Sequence, residues 1–136
     1  AQVWRRDPLP AEVLVPVPLH PTRERRRGYN QSLLLARELG RALGLAVDDR
    51  SLARVRHTPP QVGLAAAERL ANVAGAFACR GDALRGCHVC LVDDLCTTGA
   101  TLQACAEALR QAGVASVWAY TLARPYWRFD GPGHDV

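Results

Sequence analysis

Short apolar runs alternate with amphipathic stretches along most of the chain. The apolar runs predict buried strands at 12–18, near 46–52, at 76–79, from 89 and at 116–122. The helical period runs from Gln31 to about Leu43, with Asn30 as the predicted N-cap and Gly44 as the stop. Strands that alternate with helices predict an α/β fold, with a mostly parallel central sheet flanked by helices.

Composition places the chain among folded globular domains. Its 136 residues are 49% hydrophobic, which suits a single domain over 1–136. No apolar stretch approaches the about 20 residues that cross a bilayer, and we expect no membrane span and no export leader. The five cysteines are odd in number and lack disulfide-like spacing, which favours a reducing, cytoplasmic location.

The net charge indicates less about the ligand than the sequence motifs do. The net charge of +4 suits an anionic ligand and leaves nucleic acid open as a partner. All 17 basic residues are arginine, a bias typical of codon composition. The abundance of arginine alone is therefore weak evidence for phosphate binding.

The run from Val89 to Thr101 joins two unlike binding elements. A buried strand leads directly into the carboxylates Asp93 and Asp94, and a small turn of threonine, glycine and alanine then opens a helix at about Thr101. Loop amides and a helix N-terminus attract a phosphate. The carboxylates instead accept hydrogen bonds from neutral hydroxyl groups and repel that phosphate. A ligand that suits both ends carries a phosphate and a diol, as ribose 5-phosphate does.

This run resembles the phosphoribosyl pyrophosphate (PRPP) motif of type I phosphoribosyltransferases, and the match covers Leu91 to Thr101. The resemblance implies that Asp93 and Asp94 hold the ribose 2′- and 3′-hydroxyls and are the catalytic carboxylates. The residues it implies for ribose and 5′-phosphate binding are Asp93, Asp94, Leu95, Cys96, Thr97, Thr98, Gly99, Ala100 and Thr101. The alternative is a generic α/β turn with an acidic cap.

An arginine-rich stretch follows the first predicted strand. Four arginines lie within residues 23–27, and guanidinium groups pair with phosphate oxygens. In type I enzymes the loop after the first sheet strand binds pyrophosphate. By that resemblance the pyrophosphate-binding residues are Pro18, Leu19, His20, Arg25, Arg26 and Arg27. A solvated basic loop is the alternative for any single arginine.

A polar, proline-bearing stretch begins at Arg54 and leads into an alanine-rich run, 64–73, that is predicted to be helical. Type I enzymes close a flexible loop over the reacting centre at this chain position, which shields the sugar from water. By resemblance this loop carries Arg54, His57, Gln61 and Arg69.

Taken in order, the three stretches resemble the ComF family over residues 12 to about 124. These phosphoribosyltransferase-like proteins are associated with DNA uptake in competent bacteria. Members often carry an upstream four-cysteine zinc module. We expect this module to be absent here, and we therefore do not extend the family's zinc site to this chain. Cys87 and Cys90 resemble half a zinc site, but residues three apart on a strand point to opposite faces, which favours core cysteines.

The resemblance implies a phosphoribosyltransferase that binds PRPP with Mg²⁺, the ion being held largely by ligand oxygens and water, with no direct protein ligand. Purine-salvage members carry a catalytic aspartate where this chain has Thr97, so a 6-oxopurine acceptor is not expected and the acceptor stays unknown. The alternative is a non-catalytic PRPP-sensing adaptor that binds a competence ATPase or helicase, or single-stranded DNA. A flavodoxin-like regulator would explain the acidic pair but not the phosphate loop. Whether the chain forms a homodimer is left open.

Overall fold

Strands and helices alternate in the computed structural model, which describes residues 10–18, 30–55, 75–94, 99–121 and 127–128, the last pair as backbone only. The elements are β1 (Val13–Pro16), α1 (Gln31–Leu43), β2 (Ala46–Val47), β3 (Leu52–Arg54), β4 (Phe77–Cys79), β5 (His88–Asp93), α2 (Ala100–Gln111), β6 (Ser116–Thr121) and β7 (Trp127–Arg128). The alanine-rich run at 64–73, predicted to be helical, lies outside the described residues.

The main sheet has the strand order β2-β1-β5-β6-β7. The first four strands run parallel, and β7 pairs antiparallel with β6. The predicted α/β fold with a mostly parallel sheet is confirmed. The antiparallel edge strand β7 was not predicted, because two residues are too few to show a period.

The expected single strand near Ala46 to Leu52 is wrong. The chain there forms β2 in the main sheet and then β3, which pairs antiparallel with β4 in a separate two-stranded sheet. Asp48 separates them: its carboxylate accepts hydrogen bonds from the backbone amides of Arg50 and Ser51, both at 2.9 Å, and from the Ser51 hydroxyl at 2.6 Å. Such an Asx turn reverses the chain and ends the strand.

Both faces of the main sheet are covered, so β1 and β5 bury successive side chains on opposite sides. Leu14 and Cys90 pack with α1, whereas Val15 and Leu91 pack with α2, β3 and β4. Cys87 packs at the border of this second cluster, on the face opposite Cys90. The prediction that these two cysteines point to opposite faces is confirmed, and Cys90 is fully buried.

The bounds of α1 agree with the prediction. Asn30 is its N-cap, and Gly44 ends it in the left-handed conformation at φ 69°. Helix α2 begins at Ala100, one residue before the predicted start. Within the described ranges, neither helix combines the length and the apolar character needed to cross a membrane.

Candidate functional site

The two predicted carboxylates lie at the carboxyl end of β5, the strand paired on both sides within the sheet. Asp93 is the last residue of β5 and is in register with Thr121 at the end of β6. Val92, just before it, accepts a hydrogen bond from the Val17 amide at 2.9 Å, so the end of β1 lies alongside. Both carboxylates are half-buried. Ligands of open parallel sheets bind at this edge.

The start of α1 reaches the same edge. The hydroxyl of Ser32 donates a hydrogen bond to Asp93 Oδ1 at 3.0 Å. Asn30 accepts from the amides of Ser32 and Leu33 at 3.0 and 3.4 Å, and its Nδ2 donates to the Val17 carbonyl at 3.3 Å. These bonds hold the first turn of α1 against the ends of β1 and β5.

Burial makes Asp93 a weaker acid than an exposed aspartate. Loss of hydration is the largest cause and raises the pKa of Asp93 to about 7. The carboxyl of Asp94 raises this pKa further, through a shared hydrogen bond and through its charge. The hydrogen bonds from Ser32 and from the Asp94 backbone act in the opposite direction. The pair therefore favours a state that carries one proton near neutral pH when no ligand is bound.

Helix α2 begins just beyond the acidic pair. Its N-cap, Gly99, has φ 79° and ψ 0°, a left-handed conformation that a residue with a side chain adopts only at a cost. Glycine has no side-chain oxygen to cap the helix, so the first turn keeps its positive end directed at whatever lies beyond Gly99. Ala100 and Thr101 form that turn. This geometry is suited to an anion.

A basic cavity of about 240 Å³ opens at the carboxyl end of β1 and shares Asn30 with the hydrogen bonds that hold Ser32. Its lining includes Pro16, Pro18, Asn30, Arg50, Arg54 and Arg80. Asp49 also lines it, and its carboxylate is paired with Arg37 at 3.7 Å. Three arginines and one paired carboxylate give the lining a net positive charge, which is suited to a small anion.

Arg54 was predicted in the flexible loop, and its placement there is wrong. It is the last residue of β3, in register with Phe77, and its guanidinium lies over the Phe77 ring, 5.2 Å from the centroid. Burial raises the pKa of the Cys105 thiol; the charge of Asp93 raises it further, whereas that of Arg54 lowers it. Both charged side chains therefore act on the same buried thiol of α2.

The remaining predicted residues divide into two groups. The structure brings Pro18 and Arg54 to one cavity, and places Asp93, Asp94, Gly99, Ala100 and Thr101 at one edge of the sheet. Outside the described residues lie Leu95, Cys96, Thr97 and Thr98 of the phosphate loop, Leu19, His20, Arg25, Arg26 and Arg27 of the pyrophosphate set, and His57, Gln61 and Arg69 of the flexible loop.

Sequence reasoning missed Ser32, Arg50 and Arg80 as members of this region. For Ser32 a signal existed, since it lies two residues after the predicted cap Asn30, at the position of the first helical turn. Arg50 and Arg80 had no such signal. They meet in the cavity only because β3 and β4 form a hairpin-like pair against the main sheet.

Comparison with known proteins places the chain in a family. The phosphoribosyl transferase domain family matches residues 29–128. The chain is 41% identical over 115 residues to Competence protein F of Haemophilus influenzae, which covers 83% of this chain and 50% of that protein. It is 41% identical over 117 residues to the DNA utilization protein YhgH of Salmonella typhi, covering 86% and 51% of the two chains.

A third relative, slightly less similar to this chain, is also named as a competence protein. Competence protein ComFC of Bacillus subtilis is 39% identical over 113 residues, which cover 82% of this chain and 44% of that protein. The chain thus spans about half the length of the curated relatives that it matches. The family match includes β5, the acidic pair and the start of α2. The chain belongs to the ComF family, within the phosphoribosyltransferase superfamily.

Proposed function

We propose that this chain, as a single phosphoribosyltransferase-like domain, binds PRPP with Mg²⁺ and transfers its phosphoribosyl group to a nitrogen acceptor. One observation carries the proposal. The carboxylates of Asp93 and Asp94 lie at the end of the central strand β5, and the positive end of the α2 dipole begins five residues after Asp94, at Gly99. A ribose 5-phosphate unit has hydroxyl groups for the first element and a phosphate for the second.

The proposed binding mode gives each end of the ligand its own partner. The 2′- and 3′-hydroxyls donate to Asp93 and Asp94, and the 5′-phosphate accepts from the amides that lead into α2. The pyrophosphate group then extends toward the end of β1, where the basic cavity supplies Arg50, Arg54 and Arg80. Like charges are thereby kept apart, because the carboxylates contact only neutral hydroxyl groups and the phosphate groups bind elsewhere.

In the proposed reaction the bond from C1 to the pyrophosphate oxygen breaks, and its electron pair leaves with pyrophosphate. The sugar passes through a cation-like state, and the acceptor nitrogen donates its lone pair to C1 and loses a proton to the departing pyrophosphate or to water. Asp93 and Asp94 hold the ribose for this step, and their negative charge favours the positive charge that develops on the sugar. Arginines beside the leaving group stabilise its growing negative charge.

Magnesium fits this arrangement as an ion that arrives with the substrate. Mg²⁺ prefers oxygen ligands and keeps several waters, and it is commonly held by substrate phosphates with one or two carboxylates nearby. In the proposed mode its ligands would be substrate oxygens and water, and Asp93 and Asp94 would stay with the ribose hydroxyls. When bound, the ion would neutralise charge on the pyrophosphate as it departs.

The biological setting that we propose is DNA uptake and use. The relatives named as competence and DNA utilization proteins support this setting, although the chain spans about half their length. A second candidate is a PRPP-sensing adaptor without catalysis, in contact with a competence ATPase or helicase or with single-stranded DNA. Thr97 favours it, because a hydroxyl stands where purine-salvage relatives carry a general base.

Calorimetric titration tests the proposal. Mg·PRPP should bind to the wild-type protein, and the double variant Asp93→Asn, Asp94→Asn should lose far more affinity for PRPP than for orthophosphate, because the carboxylates contact only the diol. Absence of binding heat with a folded wild-type protein would reject PRPP as the ligand. Release of pyrophosphate upon addition of candidate acceptor bases separates the transferase from the adaptor.

A further inference from the structure

A buried serine outside the carboxylate motif makes direct contact with it. Ser32 is 4% exposed and donates its hydroxyl hydrogen to Asp93 Oδ1 at 3.0 Å, although Asp93 follows it by 61 residues in the chain. The bond reaches from the first turn of α1 to the last residue of β5. Hydrogen bonds to charged groups are stronger than those between neutral groups, and burial strengthens them further.

Asn30 holds this serine in place. The Asn30 side chain accepts from the Ser32 amide at 3.0 Å and donates to the Val17 carbonyl at 3.3 Å. The Val17 amide in turn donates to the Val92 carbonyl at 2.9 Å, next to Asp93. A closed set of hydrogen bonds therefore links the end of β1, the start of α1 and the end of β5. Within this set Ser32 has little freedom to move away from Asp93.

We propose that Ser32, fixed by Asn30, is a positioning residue that sets the orientation of the Asp93 carboxylate for a ribose diol. The inference depends on the proposed function, since it concerns how that site meets its ligand. A carboxylate turns readily about its last bond. The hydroxyl of Ser32 occupies Oδ1 and leaves Oδ2 to accept from a ligand.

The substitution Ser32→Ala tests this role by calorimetry at pH 8. We expect affinity for Mg·PRPP to fall about 10-fold, the usual loss for a hydrogen bond to a charged group, and affinity for orthophosphate to stay unchanged. Ser32→Thr keeps the hydroxyl and should restore most of the affinity. The pH at which PRPP binding is half-maximal should move upward in Ser32→Ala, because Asp93 then loses a partner of its ionised form.

Double-mutant cycles show whether Ser32 acts through Asp93. Ser32→Ala should have less than about a 2-fold effect in an Asp93→Ala background, and its full effect in an Asp94→Ala background. Ser116→Ala is the matched control, because its hydroxyl contacts His88 Nδ1 at 2.7 Å at the other end of β5 and β6. This control should leave PRPP affinity unchanged.

The possible results distinguish failure of the proposed function from failure of the role of Ser32. If the folded wild-type protein binds no PRPP, the proposed function fails, and the inference with it. If the wild type binds PRPP but Ser32→Ala binds it equally well, or loses PRPP and orthophosphate alike, only the role of Ser32 is rejected. Thermal melting monitors folding. Should Ser32→Ala not fold, Ser32→Cys gives the same test, because a thiol is a weak donor of similar size.

Discussion

Ligand binding and burial favour opposite protonation states of the Asp93 carboxyl. In the proposed site its carboxylate must be ionised for both oxygens to be free to accept hydrogen bonds, from Ser32 and from a ribose hydroxyl, yet burial and Asp94 raise its pKa to about 7. In the unfolded chain the group titrates near its ordinary value of 3.8. The folded protein therefore holds the proton more tightly than the unfolded chain between these two pH values. The contribution of Asp93 to stability is greatest below pH 4 and is lost as the pH rises through about 7.

Asp93→Asn should stabilise the ligand-free protein at alkaline pH. At pH 8 we expect its free energy of unfolding to exceed that of the wild type by roughly 1–3 kcal/mol, because an uncharged amide replaces a buried charge. At pH 5 the gain should be small, since wild-type Asp93 is then largely protonated. Urea unfolding at the two pH values measures both quantities, and a less stable Asp93→Asn at pH 8 would contradict the argument.

Asp48 provides the control for that experiment. Burial acts to raise its pKa, but the hydrogen bonds from Ser51 and Arg50 outweigh burial, and the pKa is lowered. The ionised carboxylate is therefore the stable form in the turn between β2 and β3. Asp48→Asn should lower the free energy of unfolding at pH 8, the opposite sign to Asp93→Asn.

At the scale of elements, the two ends of α2 differ in what they do. Both are flanked by a glycine with positive φ, Gly99 at 79° and Gly113 at 87°. Only the N-terminal end lies just after the acidic pair in the chain, whereas the Gly113 carbonyl accepts a hydrogen bond from the Gly86 amide, near the amino end of β5. A phosphate bound at the start of α2 would depend on Gly99 and not on Gly113.

Gly99→Ala and Gly113→Ala separate backbone strain from binding. Each should lose about 1–2 kcal/mol of stability, because alanine is strained in the left-handed conformation. Only Gly99→Ala should also weaken orthophosphate and PRPP binding, since the strain shifts the amides of the first turn. Thermal melting and calorimetry measure the two effects. Equal phosphate affinity in both variants would place the phosphate elsewhere.

The β3–β4 pair adds a basic wall to the cavity at the end of β1. Arg50 and Arg80 are exposed at its mouth, so their replacement should leave the fold intact. The double variant Arg50→Gln, Arg80→Gln should lose several-fold affinity for PRPP and pyrophosphate, but not for ribose 5-phosphate, because exposed charge contacts are individually weak. Arg41→Gln, a residue paired with Glu38 on α1, is the control and should bind all three ligands normally. Calorimetry in low salt provides the comparison.

At the scale of the whole molecule, the arginine-rich stretch decides between enzyme and adaptor. We expect Arg25→Gln, Arg26→Gln, Arg27→Gln to lose affinity for PRPP and pyrophosphate while binding of ribose 5-phosphate changes little. Titration of the triple variant with these ligands and with a single-stranded oligonucleotide at several salt concentrations tests this. Retained PRPP affinity, with lost DNA binding and a smaller dependence on salt, would favour the adaptor.

Local signals determined much of this protein from its sequence. The helix bounds at Asn30 and Gly44 agree with the structure because a cap satisfies backbone groups within a few residues of itself. The strand that ends at Asp93 agrees because a fully buried strand must be apolar on both faces. The family resemblance is confirmed for the same reason, since its pattern consists of contiguous residues.

Tertiary structure alone decided which distant residues meet. The contact between Ser32 and Asp93 depends on α1 packing across β1 and β5, and no local pattern encodes a pair 61 residues apart. Arg54 was assigned to the flexible loop by resemblance, yet pairing with Phe77 on β4 makes it part of a strand. The pKa of Asp93 likewise follows from burial by the assembled sheet and helices. Sequence determined the elements and the chemical groups, and packing determined their distances and their protonation.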